Sequence, residues 1–217
     1  MKTAKTPLVW LLPLFCALAF LELNAQYCTP VNINNYNTNY ISNVSIGTIN
    51  KSSGGPTGSY NYYSGVSPTD ITAGETLTGT VKVKIDGWNT AVNTVVVWLN
   101  FNEEDDDFED SGERFLFTFQ DTNSTGGKKN ITVPVSIPIP SDVQNGLARM
   151  RVGMRTGSGT SFTSCDYGWE AGEVEDYNVN FVGGSGSTTE TAPMFCEPAN
   201  VNNYNTLYIS NVSLAGI

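Results

Sequence analysis

The 217-residue chain contains no histidine at all. That excludes Ser–His and Cys–His nucleophilic catalysis and removes the commonest zinc ligand. Basic residues are scarce, 11 against 21 acids, for a net charge of −10. Nucleic acids and anionic membranes need basic patches, so neither is an expected partner. Charged residues of both signs make up only 15% of the chain. Beyond the N-terminus there are no Ala- and Leu-rich helical stretches. Gly, Asn, Thr and Ser are abundant instead, which favours strands and turns. No apolar run is long enough for a comfortable membrane span. The longest, Leu8–Leu21, is short and interrupted by Pro13.

That run reads as the core of a secretory signal covering residues 1–25. Lys2 and Lys5 form its charged start, and "LNA" before Gln26 is the cleavage site. Phe15 precedes Cys16 and Tyr27 precedes Cys28, so neither cysteine fits a lipoprotein signal. Export predicts a secreted or cell-surface protein, with no membrane insertion after cleavage. The four cysteines become three once Cys16 is removed, and in an oxidising compartment an odd count needs an explanation.

An internal repeat supplies one. Tyr27–Ile49 and Phe195–Ile217 are identical at 15 of 23 positions with a constant offset of 168. The period is that of a domain, well above solenoid repeats. Residues 26–182 are then one domain, 183–194 a Gly/Ser/Thr linker, and 195–217 the truncated start of a second copy. Cys28 and Cys196 are equivalent, so each pairs within its own copy. Cys165 is the remaining cysteine of the first copy, which predicts Cys28–Cys165. More of the same polypeptide, with further domains, is expected to follow.

Several segments of the first copy alternate with period two. Val81, Val83 and Ile85 share one face and Lys82 and Lys84 the other; Phe115, Phe117 and Phe119 line up. Ile131 to Ile139 alternate with Pro134, Pro138 and Pro140, which marks an edge strand. Met150, Val152 and Met154 separate from Arg149, Arg151 and Arg155. Val95–Phe101 is apolar on both faces, as in a central strand. With "YISNVSIGTI", "YNYYS" and "DYNVNF", about eight strands result. They predict an all-β antiparallel sandwich, jelly-roll or Ig-like in architecture.

The acids are clustered. Eight lie between Glu103 and Glu113, and five between Asp166 and Asp176. A hard cation such as calcium takes six to eight oxygens, and a tight loop offers them at alternate positions. Asn100, Asn102 and Glu104 have that spacing, with Asp105, Asp107, Glu109, Asp110 and Glu113 following. In "GEVEDYNVNF" (Gly172–Phe181), Glu173 and Asp176 are candidates for metal ligands or caps. If the strand alternates, Glu175 points inward with Tyr177, Val179 and Phe181. There it needs a partner: either a cation, or Arg149 or Arg151 through a bidentate pair.

These residues carry a resemblance. The opening cysteine with "YISNVSIGTI", the "VVVWLNFNEEDDDFEDSGE" block, "ARMRVGMR", the cysteine ahead of the motif and "GEVEDYNV" together resemble the GEVED domain family of secreted bacterial proteins. The resemblance spans about Tyr27 to Phe181. It implies an all-β extracellular module, often repeated or joined to enzymes, adhesion domains and sorting tails, and it implies no established activity. Family members usually show an Asp-x-Asn-x-Asp-Gly-Asp-Phe pattern similar to calcium loops. Here Asn100 stands at its first position, the turn has no glycine, and the stretch to Phe108 is one residue longer.

The resulting expectation is a non-catalytic module for adhesion or ligand binding, stabilised by calcium, whose ligand is a glycan or a surface protein. The alternative is a carbohydrate-binding accessory module of a secreted enzyme, with a glycosidase a distant third. Carboxylates for glycoside hydrolysis are plentiful, but crowded exposed acids give no sign of the two distinct environments that acid and base roles require. Tyr36, Tyr40, Tyr60, Tyr62 and Tyr63 would make a sugar-stacking platform only if they shared an exposed face.

Overall fold

The computed structural model describes residues 27–34, 37–53, 58–86, 90–102, 108–122 and 126–186. The signal segment, the repeated segment 195–217, residues 187–194 of the linker, and Glu104, Asp105 and Asp107 lie outside the described residues. Ten strands form: β1 Tyr40–Ile46, β2 Ile49–Ser52, β3 Tyr60–Tyr62, β4 Thr69–Thr72, β5 Thr76–Asp86, β6 Val92–Leu99, β7 Arg114–Gln120, β8 Lys128–Pro138, β9 Gly146–Thr156 and β10 Gly172–Val182. Among the described residues there is no helix.

The count exceeds the eight expected for two local reasons. "YISNVSIGTI" is not one strand but β1 and β2, folded back at Gly47, whose φ of 57° suits a two-residue hairpin. Thr69 Oγ1 accepts a hydrogen bond from Thr48 N across that turn. The other addition is β4, four residues that carry little signal alone.

The strands make two sheets. One has the order β2-β1-β5-β8, antiparallel throughout. The other runs β3-β10-β9-β6-β7. In the second, β3 and β4 both lie parallel along β10, β3 beside Val174–Asp176 and β4 beside Val179–Val182. The antiparallel expectation therefore holds for most pairings, not all. β8 is an edge strand, with Pro134 and Pro138 exposed.

One core fills the space between the sheets. Val81, Val83 and Ile85 of β5 meet Val95, Val97 and Leu99 of β6 and Met150, Val152 and Met154 of β9 there. A second, smaller cluster lies on the outer face of the β10-β9-β6 sheet, built from Val96, Trp98, Phe108, Phe162, Tyr167 and Val174. It is roofed by residues 27–34 and the segment before β10. Val31 N donates to Cys165 O and Asn34 N to Glu170 O, at 2.9 Å each. This second cover makes β6 apolar on both faces.

Candidate functional site

Strand β10 begins at Gly172, so the three acids of its opening lie inside the ladder. Glu173, Glu175 and Asp176 are all fully buried. Alternation sends them two ways. Asp176 faces outward toward β9, where its register partner is Arg151. Arg151 Nε donates to Asp176 Oδ1 at 2.7 Å and Nη2 to Oδ2 at 2.8 Å, a bidentate pair with neither side chain exposed. Tyr60 Oη adds a bond to Oδ2 at 2.8 Å, and Arg149 Nη1 reaches it at 3.3 Å. Burial, and then the charge of Asp176, push the Tyr60 phenol up to about 12.

Arg151 also ties the disulfide into this network. Cys28 and Cys165 are bridged, as the repeat predicts. Arg151 Nη2 donates to Cys28 O at 2.7 Å and Nη1 to Ser164 O at 2.8 Å. The guanidinium lies over the Phe108 ring at 5.1 Å. Arg149 lies between the rings of Tyr27 and Tyr62.

Glu173 and Glu175 face the opposite way, into the gap between the sheets. Glu173 Oε2 accepts from Ile41 N of β1 at 2.9 Å. Glu175 accepts from Tyr177 Oη at 2.5 Å and Ser53 Oγ at 2.7 Å. Burial raises the Glu175 carboxyl above its ordinary range, opposed by those hydroxyl bonds and by Lys51. The two glutamates thus fasten the first sheet to β10.

This corrects the pairing of Glu175 with Arg149 or Arg151. Glu175 shares the inward face with Tyr177, while the arginines project from the outer face of β9, opposite Met150 and Val152. A one-residue step along a strand reverses the face, so the arginines meet Asp176. It also corrects the ligand roles of Glu173 and Asp176. Their carboxylates bind the backbone of β1 and two arginines, respectively.

That loop connects β6 to β7, and its described ends are pinned from several sides. Asn100 Oδ1 accepts from Asn102 N at 2.9 Å, and Asn102 Nδ2 donates to Asp110 Oδ2 at 2.6 Å. Glu113 Oε1 accepts from Phe101 N at 2.6 Å. Glu109 Oε1 accepts from Ser164 N and Ser164 Oγ at 2.9 and 2.7 Å, joining the loop to the disulfide segment. Asn100, Asn102, Asp110 and Glu113 are thereby brought together. Asn102 Oδ1 is buried and accepts no hydrogen bond among the described residues. Among those residues, no three Asp, Glu or Cys side chains group so as to hold a metal.

The GEVED domain family model matches residues 94–180. The resemblance seen in the motifs is thereby shown from β6 into β10. No curated protein matches the chain. Within the matched residues, Gly172–Asp176 is a structural lock: a glycine at the strand entry, two inward glutamates that hold the facing sheet, and an aspartate paired with a buried arginine. Sequence reading missed Ser53, Tyr60 and the backbone of Ile41 as partners, for they come from strands far away in the chain. Tyr177 was legible, standing two residues after Glu175 on the same face.

The tyrosines do not form one exposed platform, although Tyr60 and Tyr62 share a face of β3. Tyr40 is buried, Tyr60 is committed to Asp176, Tyr62 carries Arg149, and Tyr63 packs beside Tyr177 in the core. Tyr36 lies outside the described residues.

Proposed function

We propose that the chain is a non-catalytic extracellular module for adhesion or ligand binding within a larger polypeptide. The observation that carries this reading is the Cys28–Cys165 bridge, which shares one buried network with Arg151 and Asp176. A bridge so placed suits an oxidising compartment, in keeping with the N-terminal signal. The motif acids support a binding role rather than hydrolysis. Each is buried and hydrogen-bonded to the scaffold, whereas a glycosidase needs a carboxyl pair facing a cleft. Among the described residues both sheets are open, so we group the strand order with jelly-roll and Ig-like sandwiches rather than closed barrels.

Calcium is the proposed cofactor, at the β6–β7 loop. Asn100, Asn102 and Glu113 would contribute to its site together with Glu104, Asp105 and Asp107. The alternative reading is an accessory carbohydrate-binding module of a secreted enzyme. The experiment for the main reading is cell fractionation with intact-mass analysis. The protein should appear outside the cell, starting at Gln26, with Cys28 and Cys165 oxidised. Protein retained in the cytoplasm with Met1 in place and both thiols free overturns it.

A further inference from the structure

Among the described residues, two that are not glycine have positive φ: Asn32 at 58° and Trp169 at 64°. They are bonded to each other, Trp169 N donating to Asn32 O at 2.7 Å. The left-handed region is costly for a side chain as large as tryptophan, and it persists only where the surroundings impose it. Here they do. Asp166 Oδ1 accepts from Asn32 Nδ2 at 2.9 Å and from Gly168 N at 3.0 Å. Tyr167 N donates to Val31 O at 3.1 Å, and the disulfide at Cys165 anchors the start of the turn.

The fold gains little from the Trp169 side chain, which is 70% exposed. Tyr167, two residues earlier, is fully buried against Trp98 and Phe162. Glycine would suit the backbone at 169 without strain. The strained turn instead presents an indole to solvent, beside the 54% exposed Val31 on the adjoining segment.

We propose that the Trp169 turn binds a neutral polysaccharide, the indole stacking on the apolar face of a sugar ring and Asp166 accepting hydroxyl hydrogen bonds. The inference rests on the extracellular ligand-binding reading and names its site. A flat exposed aromatic with a polar flank suits a ligand that has an apolar face and a polar rim. Asn32 and Gly168 bond one oxygen of Asp166 and hold its carboxyl below the usual range, so it stays an acceptor in acid. Asp166 and the half-exposed Glu170 repel anionic polymers, as does the net charge of −10. Two apolar side chains fall far short of the roughly 800 Å² per partner that a stable protein interface needs.

The test is native affinity electrophoresis of the full, disulfide-intact chain in gels containing β-glucan, xyloglucan, galactomannan or glycogen, with alginate as the anionic counterpart. At least one neutral polymer should retard the protein, and alginate should not. Trp169→Ala should weaken binding about tenfold or more, and Asp166→Asn by a smaller factor. Trp169→Gly should lose binding equally while melting higher than wild type, which separates binding from folding. Retardation by none of the neutral polymers, by alginate alone, or unchanged in Trp169→Ala overturns the site. The extracellular reading then still stands or falls on secretion and N-terminal processing.

Discussion

Glu175 and Asp176 are chain neighbours, equally buried, and held by different physics. Asp176 pairs with a bidentate guanidinium, with Tyr60 on a remaining lone pair. Removing one partner strands a buried charge. Asp176→Asn should therefore cost about 3–5 kcal/mol in urea unfolding. Replacing both partners with apolar residues, Arg151→Met with Asp176→Leu, should recover only part of that loss, because Cys28 O, Ser164 O and Tyr60 Oη then lose their partners. A single-variant cost near zero would show that water reaches the pair. Glu175 has no such cation and is penalised when charged. Its folded pKa lies above the unfolded value. The folded state therefore takes up its proton first as pH falls, and this group's contribution to stability improves as pH drops through the folded pKa and worsens as pH rises through it. Glu175→Gln removes the charge and keeps one acceptor, while the hydroxyl that meets its amide nitrogen must turn to accept instead. The difference in urea midpoint between variant and wild type should move in the variant's favour as pH rises through the folded pKa, and back as pH falls toward the ordinary carboxylate range. A pH-independent gap would mean that the carboxyl does not titrate differently on folding.

Strands β9 and β10 form the element that places everything else. Their ladder runs unbroken from Gly172–Arg155 to Phe181–Gly146. At its start a Cβ on Gly172 would collide with the Met154 carbonyl of β9, a backbone atom that cannot swing aside. Gly172→Ala should therefore destabilise by about 1–3 kcal/mol through strand displacement. A melting temperature equal to wild type would show that the ladder opens there freely. The roof over this pair depends on the disulfide, which closes a loop with a sequence separation of 137. Replacing Cys28 and Cys165 with serine should cost about 2–5 kcal/mol. Because Cys28 O accepts from Arg151, that loss and the loss from Asp176→Asn should combine non-additively in a mutant cycle. Strict additivity would show that the bridge and the ion pair act separately.

For the molecule as a whole, the calcium site proposed at the acidic β6–β7 connection predicts a response to cations. Eight of its 21 acids lie between Glu103 and Glu113, in a chain of net charge −10. Without a cation they repel and oppose the folded state. For a dissociation constant near ~0.1 mM, ~1 mM calcium contributes about 1.4 kcal/mol. The melting temperature should rise by roughly 2–4 °C. Sodium chloride at matched ionic strength is the control, since screening relieves the same repulsion. Changing Glu104, Asp105 and Asp107 to amides should abolish the calcium-specific rise while stabilising the metal-free protein. No rise beyond the salt control, with no calorimetric binding at millimolar calcium, would leave a solvated acidic turn.

What was legible in the chain were the features that local spacing encodes. Alternation located β5 through β9, the prolines of β8 marked an edge, and the apolar run at Val95–Leu99 marked a strand covered on both sides. The repeat identified the cysteine pair, because equivalent positions must be satisfied within a copy. Alternation even put Glu175 on the inward face and Arg151 on the outer one, which already argued against their meeting. The tertiary structure decided who meets whom. Register set Asp176 opposite Arg151, and packing of the two sheets brought Ser53 and Ile41 to the glutamates. The N-terminal segment buried Tyr167 while leaving Trp169 in solvent. Face is a property of one strand's period, readable residue by residue. Partnership depends on contacts between different strands, 25 residues apart for Arg151 and Asp176 and more than a hundred for Ile41, Ser53 and Tyr60, and no local pattern carries them.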